Sequence, residues 1–142
     1  MKLYIGNDIW NKAGAFYVRM SVFVLERQME LAEEFDQLDT STIDYAVMYD
    51  LEKPVSTGRY ELLDSETIRI GRIATLKDYR GQKLGRTIIQ ALENIGREKG
   101  CIKASIHSEQ TAASFYEELN YKIVSDEFFE NNVPCVRLEK KL

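Results

Sequence analysis

The stretch of sequence that decides the fold is Arg80-Gly81-Gln82-Lys83-Leu84-Gly85-Arg86, which joins a predicted strand to a predicted helix. Residues Thr67 to Thr75 alternate in part and are rich in β-branched side chains, which is typical of a strand. Apolar residues then recur at steps of three and four, which predicts a helix from Lys83 to Lys99. Gly100 is well placed to end that helix in the left-handed conformation.

This loop has the features of a phosphate-binding site. A helix amino terminus presents unpaired N–H groups and the positive end of the helix dipole. Gly81 and Gly85 let the backbone approach a bulky anion, and Arg80, Lys83 and Arg86 add positive charge. Neither a Walker-type run nor the three-glycine dinucleotide fingerprint is present. The loop therefore predicts a phosphate-type anion site at a helix amino terminus, and a tight surface turn with solvated cations is the alternative.

Bulk properties restrict the class of protein. The 142 residues carry a net charge of −4, which suits one domain over residues 1–142 and disfavours binding to a nucleic-acid backbone. The first residues are too short and too soon polar for a secretory signal, and no apolar run is long enough for a membrane span. We therefore expect a cytoplasmic protein with no nucleic-acid or membrane partner.

Cysteine and histidine usage gives no sign of a metal centre. Cys101 and Cys135 lack the short spacing of metal ligands, and His107 is the only histidine. A cytosolic setting keeps thiols reduced, so a disulfide is not expected. We predict no metal.

The other elements predict a mixed α/β sheet with antiparallel strands first, a parallel βαβ centre, and helices on both faces. Besides Thr67–Thr75, strands are predicted at residues 2–5, 44–49, 55–62, 101–107, 121–124 and 133–138. A helix begins at Asn7 or Asp8 with an apolar face of Trp10, Phe16, Tyr17, Met20, Phe23 and Val24. Residues 26–42 read as a helix end and an irregular acidic loop. Ser108 or Thr111 caps a later helix whose inner face is Ala112, Phe115, Tyr116 and Leu119.

The final strands and their turn complete the pattern. Asn120 can end the later helix because asparagine tolerates the left-handed conformation. The turn Glu130-Asn131-Asn132 is predicted to join the last two strands.

The stretch from Ile70 to Thr75 and on through Arg80 to Gly85 resembles the acetyl-CoA-binding motif of the GNAT superfamily. The chain as a whole is similar to a subgroup of small bacterial members. The motif is written Gln/Arg-x-x-Gly-x-Gly/Ala, where x is any residue. Arg80 matches its first position and Gly85 its last, whereas Lys83 stands in place of the first glycine. A second block from Ala112 to Tyr121 is similar to the family's later helix and strand, with Asn120 for Gly and Glu109 for a frequent Asn. The resemblance covers nearly the whole chain and implies a GNAT-like acyl-CoA N-acyltransferase fold.

The resemblance also implies the cofactor contacts. Acetyl-CoA would be the cosubstrate, with its pyrophosphate on Arg80 to Arg86. Its pantetheine arm would pair with backbone amides of Ile73, Ala74 and Thr75 like an added strand. An N–H near Ile73 or Ala74 would polarise the thioester carbonyl, and the strand 101–107 would splay away to open the cleft.

Acetyl transfer to an amine requires an acid for the leaving thiolate and a route for the amine proton. By the same resemblance, Tyr116 is the proton donor, and a buried aromatic role is its alternative. Glu26 is the first candidate for the base, ahead of Asp36, Asp39 and a water relay. Each acid has the alternative of a solvated surface charge, and together they predict steering of a cationic amine.

The predicted function is transfer of an acetyl group to a primary amine of a small molecule by direct attack in a ternary complex. The alternative is a non-catalytic CoA-binding regulatory domain with the same fold, which the departures at Lys83 and Glu109 keep open. A protein-tail acetyltransferase is a weaker third hypothesis. Arg59 and Arg72 are interpreted as salt-bridged surface residues, with binding of substrate carboxylates on the sheet near the cleft as the alternative. A homodimer through the final strands is a hypothesis by analogy alone.

Overall fold

The computed structural model describes all 142 residues. Its strands are β1 (Lys2–Gly6), β2 (Tyr45–Asp50), β3 (Lys53–Leu62), β4 (Thr67–Thr75), β5 (Lys103–Glu109), β6 (Lys122–Ile123), β7 (Phe128–Glu130) and β8 (Val133–Lys141). Its α-helices are α1 (Ile9–Arg19), α2 (Leu31–Glu34), α3 (Leu84–Glu98) and α4 (Ala113–Glu117). A π-helix covers Met20–Glu26, and 3₁₀ turns cover Gln37–Thr40, Lys77–Tyr79 and Gln110–Ala112. None of the helices is both long enough and apolar enough to cross a membrane.

The strands form one mixed sheet in the order β1-β2-β3-β4-β5-β8-β6, with β7 paired to β8. The β1–β2 and β2–β3 pairs are antiparallel, and β4–β5 is parallel. Helix α3 connects β4 to β5, as a parallel pair requires a crossover. The predicted fold class is confirmed, and the bounds of β4 are those predicted.

The chain divides into two compact units. The first unit comprises Met1–Tyr60 and Arg72–Leu92, and the second comprises Glu61–Gly71 and Glu93–Leu142. The core of the first unit includes Ala15, Val18, Val47, Val55, Ile88 and Ile89, all with no exposed surface. The core of the second unit includes Ile68, Ala104, Ile106 and Leu138. The single-domain interpretation stays a prediction.

Helix α1 buries a different face from the predicted one. Its buried residues are Asn11, Gly14, Ala15, Val18 and Arg19, whereas Trp10 is 54% and Tyr17 is 47% exposed. The reason is close packing against β2 and β3. A Cβ on Gly14 would lie 2.6 Å from the Tyr49 hydroxyl oxygen, so there is no room for a side chain at this position. Of the predicted apolar face, Trp10 and Tyr17 are therefore exposed, whereas Phe16 and Met20 are half-buried at its edge.

The acidic segment after Glu26 is more regular than predicted. It contains the short helix α2 and a 3₁₀ turn at Gln37–Thr40. Asp36 and Asp39 form a capping box at that turn, in which each side chain accepts from the other residue's backbone N–H. The acids are therefore part of the structure that orders this segment.

Two details of the second unit correct the prediction. Ser108 lies inside β5 and donates its hydroxyl to the Glu109 carbonyl oxygen at 2.8 Å, so it caps no helix. The predicted asparagine turn is present, with φ of 50° at Asn131 and 65° at Asn132. It joins β7 to β8, because an unpredicted short strand precedes it.

The predicted inner face of α4 is only partly right. Of the four predicted residues, Leu119 is buried, Ala112 and Tyr116 are half-buried, and Phe115 is 40% exposed, whereas the buried residue of the helix itself is Ala113. The helix begins at Ala113, one residue after the start of its predicted apolar stripe.

Candidate active site

Strand β4 carries a backbone irregularity at Arg72. Its parallel register with β5 runs from Thr67–Lys103 to Ile70–Ile106, and β4 then continues to Thr75. Arg72 has φ of 53°, which is uncommon for a residue with a side chain and typical of a bulge in a strand. A bulge re-aims the backbone groups that follow it, and those are the amides of Ile73 to Thr75.

The end of β4 is held by hydrogen bonds to its carbonyl and hydroxyl groups. The Ser56 hydroxyl donates to the Ala74 carbonyl oxygen at 3.1 Å and shares a 2.8 Å hydrogen bond with the Thr75 hydroxyl. Arg80 Nε donates to the Thr75 carbonyl oxygen at 3.0 Å. The predicted cofactor strand is therefore tied directly to the predicted phosphate loop.

The phosphate loop uses two left-handed residues. Gly81 has φ of 82° and Lys83 has φ of 63°. Lys83 thus occupies the position where the family motif has glycine, and the backbone conformation that favours glycine is present there. A lysine adopts it at a cost of roughly 1–2 kcal/mol. The loop therefore holds a lysine in a backbone conformation that favours glycine.

Helix α3 begins directly after this loop. Its first turn is closed by the Thr87 N–H, which donates to the Lys83 carbonyl oxygen at 3.1 Å. The N–H groups of Leu84, Gly85 and Arg86 precede that bond and have no partner within the helix. Leu84 is buried and anchors the turn, whereas Gln82 and Arg86 are exposed. The predicted anion site is therefore assembled on the surface.

Glu26 and Arg80 form an ion pair at this loop. Arg80 Nη1 and Nη2 donate to the two carboxylate oxygens of Glu26 at 2.8 and 2.7 Å. These hydrogen bonds lower the pKa of Glu26. The structure therefore brings the first candidate for the base together with a phosphate-loop arginine.

Arg19, the last residue of α1, is buried among carboxylates. Its Nε donates to Glu34 Oε2 at 2.9 Å, and its two terminal nitrogens each donate to Asp39 at 2.8 Å. Arg19 is 1% exposed and Glu34 2% exposed. Glu34 and Asp39, which are predicted from the sequence to lie in an irregular acidic loop, are thus both paired with Arg19 of α1.

Two further arginines complete this cluster. Arg59 Nη1 and Nη2 donate to Asp36 at 2.8 and 2.7 Å, and Nη1 also reaches Asp39 at 2.8 Å. Arg72 lies 3.2 Å from Glu34 Oε2 and 3.1 Å from Asp36 Oδ2. Both arginines are ion-paired, as predicted, but Arg59 is buried, so its interpretation as a surface residue is wrong, whereas Arg72 is partly exposed. They are ion-paired because the acidic segment folds over them.

We call this set the arginine–carboxylate cluster; it consists of Arg19, Arg59, Arg72, Glu34, Asp36 and Asp39. Its three arginines offset its three carboxylates, so ionised it carries no net charge. The solvated alternative for Asp39 is therefore wrong, since its side chain is 6% exposed. The negative charges of Asp36 and Asp39, which led to the prediction that the protein attracts a cationic amine, are thus neutralised by arginines of the same cluster.

The carboxyl groups of the cluster differ in acidity. Burial raises the pKa of Glu34 above its usual range, against the influence of Arg72 and Arg19. Burial would also raise the pKa of Asp39, but hydrogen bonds and charges from Arg19 and Tyr45 hold it well below its usual range. Hydrogen bonds from Arg59 lower the pKa of Asp36. Asp36 and Asp39 are therefore weak proton acceptors at neutral pH.

A cavity of about 440 Å³ lies beside the cluster in the first unit. Its lining residues are Phe16, Met20, Phe35, Asp36, Asp39 and Thr40. Phe16 and Phe35 meet edge to face with ring centroids 5.0 Å apart. The cavity thus has an apolar wall and a polar end where Asp36 is hydrogen-bonded to Arg72 at the β4 bulge.

Tyr116 lies on α4 in the second unit. Its ring packs edge to face against Phe115 and Tyr121, with centroids 5.1 and 6.2 Å away. Burial, with a smaller effect of the Glu109 charge, raises the pKa of Tyr116 to about 12. The phenol is therefore protonated at neutral pH, as a proton donor must be.

Comparisons with known proteins identify the family. A family model described as "Acetyltransferase (GNAT) domain" matches residues 14–142. The chain belongs to the GNAT acetyltransferase family. A Bacillus subtilis (strain 168) protein, provisionally named an acetyltransferase, is 37% identical over 129 residues, which cover 89% of this chain and 87% of that protein.

Solved structures agree with the GNAT assignment. The crystal structure of a Lactobacillus plantarum protein, provisionally named an N-acetyltransferase, has 35% identity and a TM-score of 0.95, covering 99% of this chain and 97% of that one. A GNAT family acetyltransferase from Elizabethkingia anophelis with acetyl-CoA bound shares the fold, with 17% identity and a TM-score of 0.71 over 99% of this chain and 98% of that one.

Sequence reasoning missed Arg19 and Glu34 in this GNAT chain. A signal for Arg19 existed, because it follows Asn11 and Ala15 at four-residue steps and so shares their helical face. That face became recognisable as buried only with the close approach at Gly14. Glu34 had no comparable signal, because nothing in the sequence distinguishes a buried carboxylate from the exposed ones in the same acidic segment.

Proposed function

We propose that this chain is an acetyl-CoA-dependent N-acetyltransferase that moves an acetyl group to a primary amine of a small molecule, by direct attack in a ternary complex. The observation that carries the proposal is the continuous segment from Arg72 to Arg86. It contains a bulged strand end, two left-handed loop residues and a helix amino terminus, in the order that a pyrophosphate and an extended arm require.

Binding of the cosubstrate rests on backbone groups in this proposal. The N–H groups of Leu84, Gly85 and Arg86 would take the pyrophosphate, with Gly81, Gln82 and Lys83 forming the turn below it. Amides of Ile73, Ala74 and Thr75 would hold the pantetheine arm and polarise the thioester carbonyl. The acetyl-CoA bound by the Elizabethkingia anophelis acetyltransferase supports this choice of ligand.

The chemistry is one displacement at the thioester carbonyl carbon. The amine nitrogen forms a bond to this carbon, the carbon–sulfur bond breaks, and the sulfur leaves with the bonding electrons. Tyr116 donates its phenolic proton to the sulfur, which gives the free thiol of CoA. An acceptor that enters as an ammonium gives one proton to bulk water before it attacks, and the attacking nitrogen then loses a second proton to water and becomes the N-acetylamine. Water returns one proton to Tyr116, so each turnover of a protonated amine releases one proton to solvent and atoms and charges balance.

A water relay is the proposed route for the amine proton, because the candidate acids are occupied. Glu26, Asp36 and Asp39 each accept hydrogen bonds from arginine, and the pKa of each is lowered. A carboxylate of low pKa removes a proton from an amine poorly. We therefore propose that Glu26 acts on the cosubstrate site through Arg80.

The experiment that tests the function is release of CoA thiol from acetyl-CoA over a panel of primary amines, with product mass as a second readout. We expect amine-dependent thiol release that falls strongly in Tyr116→Phe. Acetyl-CoA binding without turnover of any amine would favour the non-catalytic CoA-binding domain.

A further inference from the structure

Resting on the proposed function, we infer that the acceptor is an amine with a single positive charge carried on an apolar or aromatic body, and that this body occupies the cavity lined by Phe16, Met20 and Phe35. A polycation such as a polyamine or an amino sugar is the opposing class. Shape, charge and position of the cavity each bear on this choice.

The wall of the cavity is built for apolar contact. Phe16, Met20 and Phe35 form it, and the two rings are fixed by their edge-to-face contact. Arg19 stacks over both rings, with its guanidinium carbon 5.3 Å from the Phe16 centroid and 4.9 Å from that of Phe35. Rings held in this way present apolar surface to the cavity without rearrangement.

The charge of the cavity argues against a polycation. The carboxylates at its polar end are Asp36 and Asp39, and both already pair with arginine. A second or third ammonium entering here would lose water and find no uncompensated carboxylate. The side chain of Asp36 is 37% exposed, so its outer surface can accept one further hydrogen bond from a single ammonium.

The position of the cavity fits attack at the thioester. Asp36 lines the cavity and accepts a hydrogen bond from Arg72 Nη2 at 3.1 Å. The next residue after Arg72 is Ile73, whose N–H is the proposed polarising group. An amine held at Asp36 is thus one side chain away from the bulge at which the acetyl group is proposed to lie.

The test compares kcat/KM for butylamine, hexylamine, phenethylamine, 1,4-diaminobutane and spermidine at saturating acetyl-CoA. We expect a rise of roughly threefold to fourfold for each methylene added to the monoamines, and phenethylamine above spermidine. Independence from the size of the apolar body, or a preference for spermidine, would overturn the inference while leaving the acetyltransferase function standing.

Added charge in the cavity gives a sharper comparison. Met20→Glu places an uncompensated carboxylate in the wall, and Thr40→Glu does so at an exposed lining position, with loss of the hydrogen bond from the Thr40 hydroxyl to the Gln37 carbonyl oxygen. Both should shift preference from phenethylamine towards 1,4-diaminobutane. Leu25→Glu is the matched control, because Leu25 lies on the same π-helix as Met20 but is 70% exposed and outside the cavity. An equal shift in the control would count against the cavity.

Failure of the function is separated from failure of this inference by calorimetry. If no amine is turned over, phenethylamine is titrated into the CoA-loaded protein and into its Met20→Ala variant, which removes part of the apolar wall. Binding that the variant weakens supports the cavity as the acceptor site even though the proposed reaction fails. Binding that the variant leaves unchanged, or no binding to either protein, overturns the inference.

Discussion

Arg80 of the phosphate loop donates two hydrogen bonds, 2.8 and 2.7 Å long, to Glu26, which is the last residue of the π-helix. A carboxylate thus pairs with the guanidinium of Arg80, which is one of the three cations that the sequence assigns to the predicted pyrophosphate site. The two anions would compete for this cation, so we expect Glu26 to oppose cosubstrate binding. This relationship separates the two roles open to Glu26, since a base acts on kcat and a competitor acts on KM.

We predict that Glu26→Gln lowers KM for acetyl-CoA by roughly two- to fivefold, as expected for loss of one exposed ion pair, with kcat unchanged. Steady-state kinetics with acetyl-CoA varied measures both constants. Glu30→Gln is the matched control, an exposed acid of the same acidic segment. A large fall in kcat in Glu26→Gln would instead identify Glu26 as the base.

Lys83→Gly should stabilise the fold by up to about 1 kcal/mol, because Lys83 has φ of 63° and a side chain there strains the backbone. Urea denaturation monitored by circular dichroism measures the change. Gln82→Gly, at an exposed neighbour without positive φ, should be neutral or destabilising. Equal effects of the two substitutions would remove the conformational explanation.

Tyr116→Phe should lower kcat on the order of a hundredfold, as for loss of a general acid, with KM for acetyl-CoA little changed. The pKa of Tyr116 is raised to about 12, so this group causes no loss of activity from pH 7 to 10. A pH–rate profile tests both statements. Tyr17→Phe is the control, because Tyr17 is exposed on α1. A kcat unaffected by Tyr116→Phe leaves Tyr116 as a packing residue.

Asp39→Asn should destabilise the fold by about 3–5 kcal/mol at pH 7, because it leaves Arg19 and Arg59 buried without their shared carboxylate. The folded pKa of Asp39 lies below its ordinary 3.8, so its stabilisation is complete above that pH and is lost as pH falls through the folded value. The difference between wild type and variant should therefore narrow on acidification.

Urea midpoints at pH 7, 4 and 3 measure that difference. Asp126→Asn, at an exposed position, is the control and should have no such effect. The raised pKa of Glu34 acts with the opposite sign, since its contribution is lost as pH rises through its folded pKa. A constant gap between wild type and Asp39→Asn would show that Asp39 is not ionised differently in the two states.

The parts of the fold predicted from sequence are those governed by local preferences. The bounds of β4 follow from its β-branched residues. Gly100 and Asn120, with φ of 87° and 74°, end their helices because such residues adopt the left-handed conformation readily. The turn before α3 was also predictable, because glycines before a helix form a local pattern, whereas its role in binding phosphate stays a prediction.

The parts that escaped prediction depend on distant partners. Arg19 is buried because Glu34 and Asp39 lie 15 and 20 residues further along the chain and wrap around it. The buried face of α1 is set by the hydroxyl of Tyr49, which excludes any side chain at Gly14. Periodicity within one element contains neither fact. The sequence predicts Phe16 and Met20 on one helical face, but nothing in it places them beside Phe35 and Asp36, so the cavity could not be predicted.

The most direct measurement of the central claim is initial velocity with acetyl-CoA and phenethylamine both varied, with the acetylated amine quantified by mass against released CoA. We predict double-reciprocal lines that intersect, with one acetylated amine for each CoA, as direct transfer in a ternary complex requires. Parallel lines, which report a covalent acetyl-protein intermediate, or CoA release without an acetylated amine would contradict the proposed reaction.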